Sequence, residues 1–325
     1  MAELLNPKNT DAFPLVITPG MFLHSLLDLG DFGNDLAIGI QKQKLWLEGQ
    51  LFGSPGAILF RGFSVSNAEE FARVVEAFGY ESMGYRAGAA TRKHLVGPVY
   101  TNNALDSETE LGFHNEMSYL ADYPDLVVFF CEVAPPPSAG GATGIVQGKA
   151  IYNRIKKEFP EFTEDLENKG LVYYNLRSEE SWKKVYETND RAEAEAKAQI
   201  LSRTLLWLDD GGVKEILSKG TRKGIRELDS GVHGNNKVWF NSIGSAKPWF
   251  PQFQYFEFSD GSKLPAKAVE AALKIMDEEQ VSVEWQAGDI VVMNNHSVLH
   301  KKHAAAPNTP RKILVSMLKT SGAPV

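Results

Sequence analysis

Short apolar runs bounded by Gly, Pro, Asn and Asp recur along this chain, and their lengths suit strands better than helices. Leu126 to Val133 carries a single charge, and Ile290-Val291-Val292-Met293 carries none. After a loop containing Pro307 and Pro310, residues 311–319 are rich in aliphatic and β-branched side chains. Further strand-like runs fall at 57–62, 95–101, 142–147, 170–176, 237–242, 281–285 and 289–294. Helical patterns cover 36–53, 68–78, 148–168, 189–208 and 265–280, the last three on apolar spacing near 3.6. Many strands with helices between them predict a mainly β fold with helices: a double-stranded β-helix (jelly roll) core with helical decoration. Residues 1–35 read as an irregular lead-in. The charge-dense stretch 178–227 separates the two halves of the barrel, as a solvated helical insert or as a lid.

Length and composition narrow the class. A chain of 325 residues could be two domains, but large β-barrel enzymes often run as one, so 1–325 reads as a single domain. A core of this size needs no disulfide or structural metal. The single cysteine, Cys131, lies inside an apolar run and reads as a small buried hydrophobe. One cysteine forms no intrachain disulfide, which suits the cytoplasm or another reducing compartment. The N-terminal segment carries Glu3, Lys8 and Asp11 and lacks a signal-like apolar stretch, and no run approaches a membrane span. A net charge of -7 argues against a nucleic-acid footprint, which leaves a small molecule as the expected partner.

His114-Asn115-Glu116 is the first chemical feature. Seven His and 41 acidic residues in 325 make about one His-x-Asp/Glu expected by chance, and one occurs, so context must decide. In an extended segment His114 and Glu116 would point to one side and Asn115 to the other. Downstream, His296, His300 and His303 could each supply a second imidazole, while His24, His94 and His233 show no partner pattern. Two imidazoles and a carboxylate on one face of iron(II) leave the opposite face for a co-substrate and O₂. A guanidinium suits a carboxylate co-substrate geometrically, and Arg311 shares strand parity with Ile313 and Val315 on an expected inward face.

The distal half carries a family resemblance. Gly288-Asp289, an apolar strand, Asn294-Asn295, then Val298-Leu299-His300, then Arg311 resembles the end of the TauD/TfdA family of iron(II)- and 2-oxoglutarate-dependent dioxygenases. The proximal His-x-Glu is similar to that of its clavaminate synthase-like branch. Gly56 to Phe63, ending in Arg-Gly-Phe, the amphipathic Phe71 to Gly79, Val99 to Asn103, Gly140-Gly141-Ala142-Thr143 and Trp239-Phe240-Asn241-Ser242 follow in the family's order. The Val-Leu-His context and the spacing to Arg311 favour His300 over His296 and His303.

The resemblance implies roles. His114, Glu116 and His300 would hold iron(II), and 2-oxoglutarate would chelate it while its far carboxylate meets Arg311 and Thr143. O₂ would take the remaining position, and the reaction would oxidise an unactivated carbon of a small, carboxylate-bearing, amino-acid-derived substrate. Hydroxylation, desaturation and oxidative cyclisation all remain open. Arg92, Asn102, Asn103 and Asn241 are the candidate substrate contacts. Two positions depart from the family. Val315 stands where sulfonate-binding members have a second Arg, so a substrate anion would need Arg92, Lys93, Arg177 or Lys247. Asn294 stands where relatives often have Asp, which puts one supporting hydrogen bond in doubt. A non-catalytic jelly-roll ligand-binding protein and a zinc hydrolase are the alternatives, the latter without a helical His-Glu-x-x-His.

Overall fold

In the computed structural model, which describes residues 12–19, 35–84, 92–102, 106–217, 219–228, 236–245 and 255–320, the apolar run Leu126–Val133 is a central strand. It is flanked by Ile290–Asn294 on one side and Lys312–Lys319 on the other. Ala57–Phe60 and then Leu15–Ile17 extend the sheet one way; Val99–Thr101 and His94–Val96 extend it the other, with Glu81–Ser82 also on Lys312–Lys319. Every pairing is antiparallel except Leu15–Ile17 against Ala57–Phe60. A second sheet runs Val281–Val283, Thr143–Gln147, Val298–Lys302, Leu111–His114, antiparallel throughout.

The strands are apolar on both faces because both faces are covered. Leu126, Val128 and Phe130 pack with Ile58, Phe60, Ile290 and Val292 beneath helices Leu36–Phe52 and Ala68–Ala77. Their alternates Val127, Phe129 and Cys131 join Val291, Met293, Ile313 and Val315 in a core shared with Ile145 and Val298 of the second sheet. Two sheets around one core make the jelly roll. The far side of the second sheet, through Phe113, Val146 and Leu299, packs on helices Gly148–Glu158, Pro160–Asn168 and Ala266–Glu279. By strand parity His300 therefore faces the shared interior with Val298, opposite to Leu299.

Several elements depart from the pattern-based expectation, each for a local reason. The helix expected over 148–168 is two helices, because Pro160 forces Phe159 out of helical geometry (φ -136, ψ 68). The run 95–101 is a hairpin broken at Gly97, whose φ is +47. The helix expected over 189–208 stops at Ile200, and Thr204–Trp207 is a strand instead. The 178–227 region is thus mixed rather than helical. Thr204–Trp207, Val213–Ile216, Leu171–Arg177 and Tyr255–Phe258 form their own antiparallel sheet, packed on helices Glu179–Tyr186 and Arg191–Ile200 through Trp182, Tyr186, Ala194 and Ala198. Within the lead-in, Leu15–Ile17 is the parallel edge strand. No helix among the described residues is long and apolar enough to cross a membrane.

Candidate active site

His114 ends its strand directly opposite His300, the two being register partners. Gly112 lets that strand approach the Ile243–Ser245 turn: a Cβ there would lie 2.0 Å from the Gly244 carbonyl. The Gly112 carbonyl in turn accepts a hydrogen bond from His114 Nδ1 at 2.8 Å. A carbonyl only accepts, so the proton sits on Nδ1 and the Nε2 lone pair faces the site.

Glu116 does not continue the strand, contrary to the extended reading of the motif. The strand ends at His114, and Glu116 opens a turn in which Met117 has φ +57. Three buried asparagines hold that turn. Asn295 accepts from Glu116 N at 2.7 Å and donates to Glu116 O at 3.0 Å and Pro124 O at 2.8 Å. Asn115 donates to Asn295 O at 2.6 Å and Val298 O at 3.2 Å, and accepts from Asn241 N at 3.0 Å. Asn241 donates to Gly224 O at 2.9 Å and accepts from Ile243 N at 2.9 Å.

The result is a cluster. Donor atoms of His114, Glu116 and His300 all lie within 4.8 Å of one another. Glu116 Oε2 is 3.4 Å from His300 Nε2 and 3.9 Å from His114 Nε2, yet it is buried with no properly formed hydrogen bond. Buried carboxylate oxygens are seldom left so, and a cation between the three side chains is the partner this one lacks. Burial, reinforced by His300, pushes His114 down to about 4, so it is neutral at physiological pH and its lone pair is available. Burial works to raise Glu116, but Arg92 and the two imidazoles outweigh it and hold the carboxyl below its usual range. Donor set and protonation states fit iron(II).

The cluster opens into a cavity also lined by Arg92, Asn102, Phe129, Thr143, Lys302 and Arg311. Arg311 donates to Gly141 O at 2.7 Å and toward Thr143 Oγ1 at 3.4 Å. Gly141, at φ +83, brings its backbone so close that a Cβ would lie 3.1 Å from Arg311 Cδ. Thr143 Oγ1 also accepts from Trp285 Nε1 at 3.0 Å, which leaves its own proton to donate. Burial pushes Arg311 down to about 10, still fully charged near neutrality. Lys302 donates to the carbonyls of Asp106 and Ser107 at 3.0 and 3.1 Å; burial and then Arg311 push it down to about 8.

The other nominated residues sort clearly. Asn102 is at the cavity wall, whereas Asn103, Lys247, His24 and His233 lie outside the described residues. Asn241 is fully buried in the network above and is not at the cavity, so it serves the turn rather than a ligand. Arg92 does reach the cavity, but its Nη2 pairs with Glu116 Oε1 at 2.9 Å. Arg177 lies elsewhere, with Arg203, Asn175 and Tyr186 on the buried Glu215 carboxylate, and Lys93 is exposed. His296 has both ring nitrogens engaged: Nε2 with Asp125 at 2.8 Å, Nδ1 with Arg226 at 2.6 Å. His303 bonds Gln280 at 2.9 Å, and His94 bonds Gly97 O at 2.9 Å. Asn115, Asn295 and Trp285 were not singled out by pattern. For the two asparagines the one sequence signal is an amide between or near the candidate ligands, and Trp285 carries none.

A family model described as "Taurine catabolism dioxygenase TauD, TfdA family" matches residues 40–317. The chain belongs to the TauD/TfdA family. As a TauD/TfdA protein it is an iron(II)- and 2-oxoglutarate-dependent dioxygenase, using O₂, and the binding-module and zinc-hydrolase alternatives fall away. Among its relatives is a clavaminate synthase-like protein of Arabidopsis thaliana, 37% identical over 294 residues and covering 86% of each chain. A dapdiamide synthesis protein, DdaC, of Enterobacter agglomerans is 21% identical over 275 residues, covering 77% of this chain and 79% of its own. PvcB from Pseudomonas aeruginosa shares the TauD/TfdA fold at TM-score 0.53 and 16% identity, over 95% of this chain and 86% of its own.

Proposed function

We propose that His114, Glu116 and His300 hold the iron(II) and that Arg311, with the Thr143 hydroxyl, anchors the far carboxylate of 2-oxoglutarate. The observation that carries this reading is the buried Glu116 Oε2, unsatisfied between two imidazoles in the cavity that Arg311 and Thr143 also line. Iron(II), when bound, supplies O₂ activation coupled to decarboxylation of 2-oxoglutarate, and so the oxidising power to break a C–H bond. The protein's own contribution is placement. The Gly112 carbonyl fixes the His114 tautomer, and Asn295 fixes the Glu116 backbone. Trp285 and Arg311 donate to the Thr143 oxygen, which leaves its proton to donate to a carboxylate, and the Phe129 ring stands edge-on to His300 at 5.1 Å.

The substrate we propose is small, carboxylate-bearing and amino-acid-derived, oxidised at an unactivated carbon. Arg92 is the nominated cation that lines the cavity, beside Asn102. The likeness to clavaminate synthase-like and dapdiamide-synthesis proteins supports the class. The test is succinate release from iron-loaded protein offered acidic amino-acid derivatives, neutral lipids, sulfonates and peptides. Turnover on the first group, lost in Arg92→Ala, is expected. Coupled turnover on a neutral apolar compound, unchanged in Arg92→Ala, would overturn the substrate class.

A further inference from the structure

A second cavity shares no lining residue with the first, and its walls hold three cations: Arg222, Lys223 and Arg226. Among the described residues none of the three lies within ion-pair distance of a carboxylate. Arg222 Nη2 donates to the Lys219 carbonyl at 2.9 Å, and its Nε is buried with no acceptor. Arg226 donates to His296 Nδ1 at 2.6 Å, a neutral partner, because the ring's other nitrogen gives its proton to Asp125. Three like charges around one concave surface repel one another unless something of opposite sign enters.

Lys223 is exposed, but the two arginines are not freely solvated side chains. Arg222 exchanges both backbone hydrogen bonds with Leu171, at 2.7 and 2.8 Å. Arg226 belongs to the strand Ile225–Glu227, paired with Lys237–Trp239. Its guanidinium lies 4.9 Å from the Phe240 ring centre and 5.4 Å from that of Tyr123, two rings that touch each other at 5.1 Å and hold it against one aromatic pair. Ser118 and Thr221 add hydroxyls at the same wall.

We infer that this pocket is a binding site for a multiply charged oxyanion, separate from the 2-oxoglutarate cavity. Guanidinium groups present N–H pairs that match phosphate or carboxylate oxygens, and the ammonium of Lys223 adds a third positive contact. The aromatic walls suit a ligand whose anionic group is carried on a carbon framework. A phosphate ester and a polycarboxylate share this chemistry.

The full-length protein is titrated with inorganic phosphate by calorimetry at constant ionic strength. The same titration is run on Arg222→Gln/Lys223→Gln and on Arg311→Ala, with malonate as a second probe in the Arg311→Ala protein. One saturable site is expected in the wild type and in Arg311→Ala. Binding in the double variant should be weakened about tenfold or more, the effect of losing at least one charge-assisted contact. Stronger binding of phosphate than malonate assigns a phosphorylated ligand, and the reverse assigns a carboxylate. The double variant, relieved of repulsion, should melt no lower than the wild type without anion, so weaker binding there is not misfolding. Absence of saturable binding, equal binding in the double variant, or loss of binding in Arg311→Ala would each overturn the assignment.

Discussion

Asn295 offers the sharpest test of how the Glu116 turn is held. Its side chain is 1% exposed as part of the residue and makes three hydrogen bonds, two to the Glu116 backbone and one to Pro124. Asn295→Ala removes all three and strands one N–H and two carbonyls. At ~1 kcal/mol per net bond, with further cost for groups left unsatisfied, the loss should reach about 3–4 kcal/mol. The same change frees the turn that aims Glu116, so iron(II) affinity should fall about 10–100-fold. Urea denaturation of the metal-free protein measures the first quantity. Iron(II) titration under conditions where the variant stays folded measures the second. Asn295→Asp keeps the acceptor for Glu116 N but turns a carboxylate oxygen toward two carbonyls, and at neutral pH it should be worse than Ala. A stability within about 0.5 kcal/mol of wild type, with unchanged iron affinity, would refute the reasoning.

Other expectations follow from the same geometry. His300→Ala should abolish iron binding and turnover. His303→Ala should leave both intact, and His296→Ala should lose stability by stranding Asp125 and Arg226 while retaining the metal; loss of iron in His296→Ala alone would show the wrong imidazole has been assigned. Arg311→Lys keeps the charge but loses the fork, so the apparent 2-oxoglutarate requirement should rise about tenfold or more, with a smaller effect for Thr143→Val; an unchanged titration in Arg311→Ala would contradict the anchor. Asp125 is worked upward by burial but held at about 2 by its bonds from His296 and Thr320. A folded value below the unfolded one means stability present above about pH 4 and lost as pH falls toward 2, worth about 2 kcal/mol. Denaturation midpoints at pH 2–5 should therefore converge between wild type and Asp125→Asn as pH falls, and parallel curves would exclude this role.

The parts legible in sequence were those set by local pattern. The runs at 126–133, 142–147, 289–294 and 311–319 read as strands, and each is one to within a residue at its start, because both faces are buried, which leaves mostly apolar stretches. His114, Glu116, His300, Thr143 and Arg311, which the family resemblance nominated, line one cavity. What pattern could not show was which polar groups spend themselves on one another. Arg92 and Arg177 look alike as isolated cations, yet one meets Glu116 and the other Glu215, a carboxylate in a different sheet. Asn241 looked available for a ligand, but its amide is consumed by Gly224 and Ile243. The strand at Thr204–Trp207 was lost in a charged, Ala-rich stretch whose helix ends where Ser202 adopts φ +57. These are long-range pairings, and propensity carries no trace of them.

The antiparallel pairing that sets His300 against His114 also orders events in time. His114 and Glu116 leave the ribosome well before the strand Val298–Lys302, which must then slip between Thr143–Gln147 and Leu111–His114 to complete the second sheet. Lys312–Lys319, whose entry brings in Arg311, is synthesised later still and inserts beside Leu126–Val133. A chain without these strands holds two of the three proposed iron ligands and lacks the proposed co-substrate anchor. On the proposed ligand set, a complete iron site and its anchor exist only once these last two strands have paired.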